Sequence, residues 1–202
     1  MTKTPESAQW GSLALVCYIP DPLGSFLHAL RQILPGEENP QAHITILPPR
    51  PLKLPLDAAL QQAEIILERF APFKVNLSEV DCFPGTKVLY LNIDGGFEPL
   101  HEIHAALNTG DLRHDEAFEF RPHLTLGGPV SPEQLESVRI LAERTWRASR
   151  HSPGFTVREI VGLWSPSGVT AAGNWKRLWS YRLRPDPTEN GCGAASGITQ
   201  TS

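Results

Sequence analysis

Two stretches of the chain, Ala42-His43-Ile44-Thr45-Ile46-Leu47-Pro48-Pro49 and Pro122-His123-Leu124-Thr125-Leu126-Gly127-Gly128-Pro129, repeat one pattern: histidine, aliphatic, threonine, aliphatic, then a turn containing proline. Side chains alternate across a strand. His43 and Thr45 therefore share one face and Ile44 and Ile46 the other, and the same holds for His123 and Thr125 against Leu124 and Leu126. One face packs and the other is left for chemistry. A lone histidine on a strand is usually a hydrogen-bonded structural residue. With only 7 His in 202 residues, however, two copies of the whole pattern lie well outside chance.

The chemistry such a pair can do is specific. An imidazole titrates near pH ~6.5, so of two facing histidines one can be neutral and act as a general base while the other is protonated and acts as a general acid. The threonine hydroxyls two residues on point the same way and can donate hydrogen bonds to an anionic oxygen. Displacement at phosphorus needs a base near the entering oxygen and an acid near the leaving oxygen, on opposite sides. Two copies of one strand about an approximate two-fold axis would supply both. Such a site calls for no metal and no cofactor.

The elements that must carry these strands are legible from periodicity and breakers. The sequence predicts strands over Leu13–Ile19, His43–Leu47 (ended by Pro48-Pro49), Phe73–Val80, Val88–Ile93, His123–Leu126, Phe155–Trp164 and Leu178–Leu183. Helices are predicted over Gly24–Leu34, from Asp57 to Phe70, from Phe97 to Leu112, and from an N-cap at Ser131 with Pro132 in the first turn to Ala148. Residues 1–185 read as one domain. Residues 186–202 are polar and Gly-rich without apolar periodicity, and are expected to be a disordered tail.

Composition narrows the class. A charged fraction of 20% with 5 Trp and 8 Phe is too apolar for a disordered chain, and no apolar run reaches the ~20 residues of a membrane span. The run Leu13–Ile19 lacks the flanks of a signal peptide, so a cytoplasmic location is expected. Three cysteines, Cys17, Cys82 and Cys192, form no C-x-x-C pair and are expected as free thiols. The net charge of −4 divides unevenly. Residues 1–120 carry 8 Lys+Arg against 16 Asp+Glu, whereas residues 121–184 carry 10 against 4. An acidic chain with one basic third suits a short phosphate-bearing ligand better than a long nucleic-acid duplex.

The motifs His43-Ile44-Thr45-Ile46 and His123-Leu124-Thr125-Leu126, 80 residues apart, together with the closing segment Glu159–Ser165 through Gly173-Asn174-Trp175 to Tyr181-Arg182-Leu183, resemble the 2H phosphoesterase superfamily, in particular its 2′-5′ RNA ligase-like, 2′,3′-cyclic phosphodiesterase branch. The resemblance implies an α+β bilobal fold: two pseudo-symmetric antiparallel-sheet lobes with helices, around a central cleft, one motif from each lobe. It also implies opening of 2′,3′-cyclic phosphates on nucleotides or RNA ends to 2′-phosphates. His43 and His123 are then the acid/base pair, and Thr45 and Thr125 hold the phosphate.

Many relatives that handle RNA carry a basic residue directly after the second motif, where this chain has Gly127 and Gly128. Arg50 and Arg121 are the candidates to replace it, and Tyr90 and Trp164 are candidates to stack on a base. ATP-independent 2′-5′ ligation, the reverse transesterification, would use the same groups. A binding module that keeps the cleft without turnover is the competing class. A monomer is expected, with no membrane and no duplex DNA among its partners. His101 and His104, one helical turn apart, offer no third metal ligand.

Overall fold

The structure is a computed structural model and describes residues 10–36, 41–166 and 175–185. The tail expected beyond Pro185, and Cys192 within it, lie outside the described residues. Among the described residues, eight strands and four helices follow in the order β1 (Ser12–Tyr18), α1 (Leu23–Ile33), β2 (His43–Pro51), α2 (Leu56–Leu67), β3 (Phe73–Cys82), β4 (Leu89–Gly95), α3 (Phe97–Leu107), β5 (Leu124–Gly127), α4 (Pro132–Arg147), β6 (Gly154–Val157), β7 (Glu159–Ser165) and β8 (Lys176–Arg182). A single turn of 3-10 helix, Gly110–Leu112, follows α3.

The pairings of these strands are antiparallel and give the order β6-β3-β4-β5-β2-β1-β7-β8. The two motif strands, β5 and β2, are central neighbours. They touch through one residue pair, Ile44 opposite Leu124. The sheet is therefore two four-stranded halves joined by a narrow seam. Ile44, Ile46, Leu124 and Leu126 are fully buried on the apolar face, under the helices, together with Leu13, Leu15, Leu89 and Leu91. The opposite face carries His43, Thr45, His123 and Thr125, all half-buried.

The helices cross the seam. Helix α1, which leads into β2, packs on β5, and α3, which leads into β5, packs on β2. The close approach of α1's C-terminal turn accounts for Gly127-Gly128. A Cβ at Gly127 would lie 2.6 Å from the Pro35 carbonyl oxygen, and the Gly128 N–H donates to that same oxygen at 2.7 Å. Gly128 also has φ +112°, a conformation open to glycine alone in practice. The glycines after the second motif thus serve the backbone contact between the halves.

Three element expectations are corrected. The single strand expected over Phe155–Trp164 is two: β6 pairs with β3 in one half and β7 with β1 in the other, so the chain changes halves at Arg158. Strand β2 does not stop at Pro48-Pro49 but continues to Pro51, with register shifts against β1 near Leu15. It bonds β5 only at Ile44, so no partner there requires the missing proline N–H groups. Helix α3 ends at Leu107, five residues early, because Gly110 adopts φ +55° and starts a separate turn.

Candidate active site

The two motifs occupy equivalent environments. From Gln41 to Pro49 and from Arg121 to Pro129 the succession of buried, half-buried and exposed positions is identical. In each copy the histidine Nδ1 meets the carbonyl oxygen two residues back: His43 to Gln41 at 2.8 Å and His123 to Arg121 at 2.7 Å. A carbonyl only accepts, so each Nδ1 carries the proton and each ring keeps Nε2 for chemistry. Burial lowers the pKa of both imidazoles. At His43 the charges of Arg31 and His123 lower it further, and at His123 the Arg121 guanidinium does so. The resting pair is biased toward neutrality, and a proton on one ring disfavours a proton on the other.

Around His123 the first half supplies a compact support. Tyr90 lies opposite Thr125 in the ladder and Asp81 opposite Tyr90, so all three share the cleft face. The Tyr90 hydroxyl donates to Asp81 Oδ2 at 2.9 Å, its ring stacks on Phe83 at 4.1 Å, and both rings meet His123 edge-on, at 5.3 and 4.9 Å. Burial and the bond to Asp81 push the Tyr90 phenol up to about 12. Arg121 donates to Asn92 Oδ1 at 2.9 Å, stands 3.7 Å from Asp81 Oδ2 and lies over the Tyr90 ring, 5.2 Å from its centroid. Its side chain remains 50% exposed, so it keeps donors for a ligand. Burial opposes ionisation of Asp81, but hydrogen bonds from Cys82 N–H, Tyr90 and Asn92 and the Arg121 charge hold its carboxyl below the usual range.

The sequence-derived candidates divide. His43, Thr45, His123, Thr125 and Arg121 meet on one face across the seam. Arg50 does not. Its side chain is buried on the other side of β2, with Nε donating to Pro48 O, Nη1 to Asn108 Oδ1 and Leu112 O, and Nη2 to Glu116 Oε1 at 2.6 Å. A substrate-binding role for Arg50 is corrected to a structural one: a guanidinium already spent on four protein acceptors has none of the reach a ligand needs. Tyr90 is beside His123, yet it is 1% exposed and one ring face is covered by Phe83. Tyr90 therefore stacks on no base; it walls the His123 ring. Trp164 pairs with Leu13 on the helix side and donates to Trp10 O, away from the cleft.

Several residues of the site escaped the sequence reading. Asp81 and Asn92 follow from alternation along β3 and β4 once the cleft face is known, a signal present in the sequence but without meaning until the strands are paired, and Phe83 is the first residue past the end of β3, in the turn toward β4. His104, buried on α3, sends Nδ1–H to Ile46 O at 2.9 Å and stacks on Phe120 at 3.7 Å. It is thus used in holding β2. Among the described residues no group of three or more His, Cys, Asp or Glu is arranged to hold a metal ion, and no helix is long and apolar enough to cross a membrane.

Comparison with known proteins agrees with this architecture. The chain superposes on the apo structure of LigT from E. coli with a TM-score of 0.58 at 15% identity, covering 86% of this chain and 98% of LigT. It superposes on TT0787 of Thermus thermophilus with a TM-score of 0.60 at 18% identity, covering 87% and 99%. At those identities the likeness is one of fold. In sequence, 102 residues are 29% identical to "Putative phosphoesterase BH1439" of Halalkalibacterium halodurans; the match spans 46% of this chain and 59% of that protein. Residues 19–168, which include both motifs, match the family described as the 2′-5′ RNA ligase superfamily, and the chain belongs to that superfamily, the 2H phosphoesterases.

Proposed function

We propose that this protein hydrolyses 2′,3′-cyclic phosphates on nucleotides or RNA ends to 2′-phosphates, with His43 and His123 as the acid/base pair and without a metal ion. The observation that carries the reading is the twin tautomer arrangement: both Nδ1 atoms are tied to backbone carbonyls, which leaves two Nε2 atoms on one face of the seam. In the forward step a neutral Nε2 takes a proton from water as the water oxygen bonds to phosphorus. The protonated Nε2 opposite gives its proton to the departing 3′ oxygen. One P–O bond forms, one breaks, and the proton count is conserved across the pair. Thr45 and Thr125 donate to the non-bridging oxygens, where charge accumulates in the transition state. Arg121, half-exposed beside His123, adds a cation to that side. The E. coli LigT fold has been solved complexed with phosphate and with 3′-AMP, ligands of the class this cleft would take.

With an RNA 5′-hydroxyl replacing water, the same ring opening forms a P–O bond to that hydroxyl and breaks the bond to the 3′ oxygen, which is ATP-independent 2′-5′ ligation by the same groups. Hydrolysis is the reading tested first. Turnover of 2′,3′-cyclic AMP in EDTA is expected for the wild type, with His43→Ala and His123→Ala each losing about 10²–10⁴-fold in kcat. A wild type that binds the nucleotide without turning it over overturns the enzyme reading, and abolition of activity by EDTA overturns the metal-free mechanism.

A further inference from the structure

The support around His123 has a counterpart around His43 that the duplicated motif does not itself encode. Tyr18 on β1 lies opposite His43 in the ladder and meets its ring edge-on at 6.2 Å. The guanidinium of Arg177, on the edge strand β8, stands over the Tyr18 ring, 5.7 Å from the centroid, and Arg177 Nη2 is 3.1 Å from Glu159 Oε2. In both halves, then, an arginine covers a tyrosine whose edge faces a motif histidine, and a carboxylate holds the arginine. The guanidinium of Arg177 is no farther from the His43 ring than those two centroid distances together allow.

A basic residue on an edge strand is ordinarily a solvated guard against edge-to-edge pairing. Arg177 is not built that way. Along β7 and β8 the ladder runs Glu159 opposite Arg182 and Val161 opposite Ser180, which if continued would set Leu178 opposite Leu163 and turn Arg177 to the helix face. A bulge intervenes, and Arg177 is opposite Leu163 instead, on the cleft face with Glu159 and Tyr18. Bulges recur beside active sites because they re-aim a side chain in this manner. The side chain then reaches inward over β7 to Tyr18, two strands away. Its exposure is 52%, and that of Glu159 is 45%, so the ion pair orients the guanidinium without consuming it.

A scissile phosphate between the two imidazoles is already served by Thr45, Thr125 and Arg121. We propose that Arg177, oriented by Glu159 over Tyr18, is a second anion-binding site that takes another phosphate of the same substrate, on the His43 side of the scissile group. This rests on the cyclic-phosphate reading and deepens it: the preferred substrate is a nucleotide carrying a further phosphate. That phosphate is either the internal phosphodiester of an RNA end or a 5′-phosphate.

Three substrates separate the possibilities: adenosine 2′,3′-cyclic phosphate, the same nucleotide with a 5′-phosphate, and the dinucleotide ApA ending in a 2′,3′-cyclic phosphate. The wild type is expected to favour at least one of the last two over the first by tenfold or more in kcat/KM, mainly through KM. Which one it favours identifies the source of the phosphate. In Arg177→Ala the ratio is expected to fall to near one, and Arg177→Lys to recover part of it. Lys176→Ala removes the same charge from the opposite face of β8 and is expected to leave the ratio unchanged. A wild-type ratio near one, an unchanged ratio in Arg177→Ala, or an equal fall in Lys176→Ala overturns the proposal. Calorimetric binding of the same three ligands to His123→Ala and to His123→Ala/Arg177→Ala keeps the two readings apart: absence of turnover by the wild type refutes hydrolysis, whereas an Arg177→Ala change that leaves the ligand order intact refutes the second site.

Discussion

At the scale of single residues, the site works by limiting what each histidine can be. The backbone carbonyls of Gln41 and Arg121 select the Nδ1–H tautomer, and burial holds both rings toward the neutral form. A productive pair carries one proton, so the rate should fall on the alkaline side once that proton is lost and on the acid side once the second ring is protonated. Because both pKa values are lowered, the bell in kcat/KM is expected to sit on the acid side of neutrality. Arg121→Ala removes a cation near His123 while its carbonyl remains, so the His123 pKa should rise. The ring-proton NMR titration of His123 should move to higher pH in this variant and that of His43 much less. A His123 titration that stays in place or moves down would refute the electrostatic role given to Arg121.

At the scale of elements, the motif strand β2 is held from behind. His104 of α3 bonds the Ile46 carbonyl, and Arg50 bonds the Pro48 carbonyl while reaching Asn108, Leu112 and Glu116. Side-chain donors thereby satisfy carbonyls on a strand whose own prolines, Pro48, Pro49 and Pro51, weaken its ladder. Arg50→Ala leaves Glu116 and the Leu112 carbonyl without their partner in a buried setting, and a cost of about 3–5 kcal/mol is expected. Urea denaturation should show the loss as a lower midpoint. If the variant unfolds at the wild-type midpoint, Arg50 is a surface-like residue and the account of β2 fails. The periodicity that predicted β2 located the strand but not its length, since a proline reads as a stop unless the neighbouring strand is known to need no hydrogen bond there.

At the scale of the whole molecule, one seam does two jobs. It brings the histidines of two halves onto one face, and it is closed from behind by α1 on β5 and α3 on β2. The fit is tight where Pro35 meets Gly127. Gly127→Ala would put a methyl group 2.6 Å from a carbonyl oxygen of the backbone, so the halves must part or the strand must shift. Overpacking of this kind is expected to cost about 1–3 kcal/mol and to lower kcat by moving β5 relative to β2. Thermal unfolding together with turnover of 2′,3′-cyclic AMP checks both parts. Wild-type stability and turnover in Gly127→Ala would mean the seam is looser than the geometry requires.

What the sequence determined by itself is local and repetitive. It determined the two motifs, the alternation that separates a chemical face from a packing face, most helix and strand cores, and the superfamily. These are legible because they depend on residue type and on periods of two and 3.6. Only the tertiary structure decided that Arg50 is a buried brace and Arg121 a cleft residue, that Tyr90 is a wall, and that Phe155–Trp164 is divided between two halves. It also revealed Asp81 behind Tyr90, Tyr18 beside His43 and Arg177 turned to the cleft by a bulge. Each of these rests on pairing and register between segments far apart in the chain, and a one-residue shift in register reverses the face on which a side chain stands.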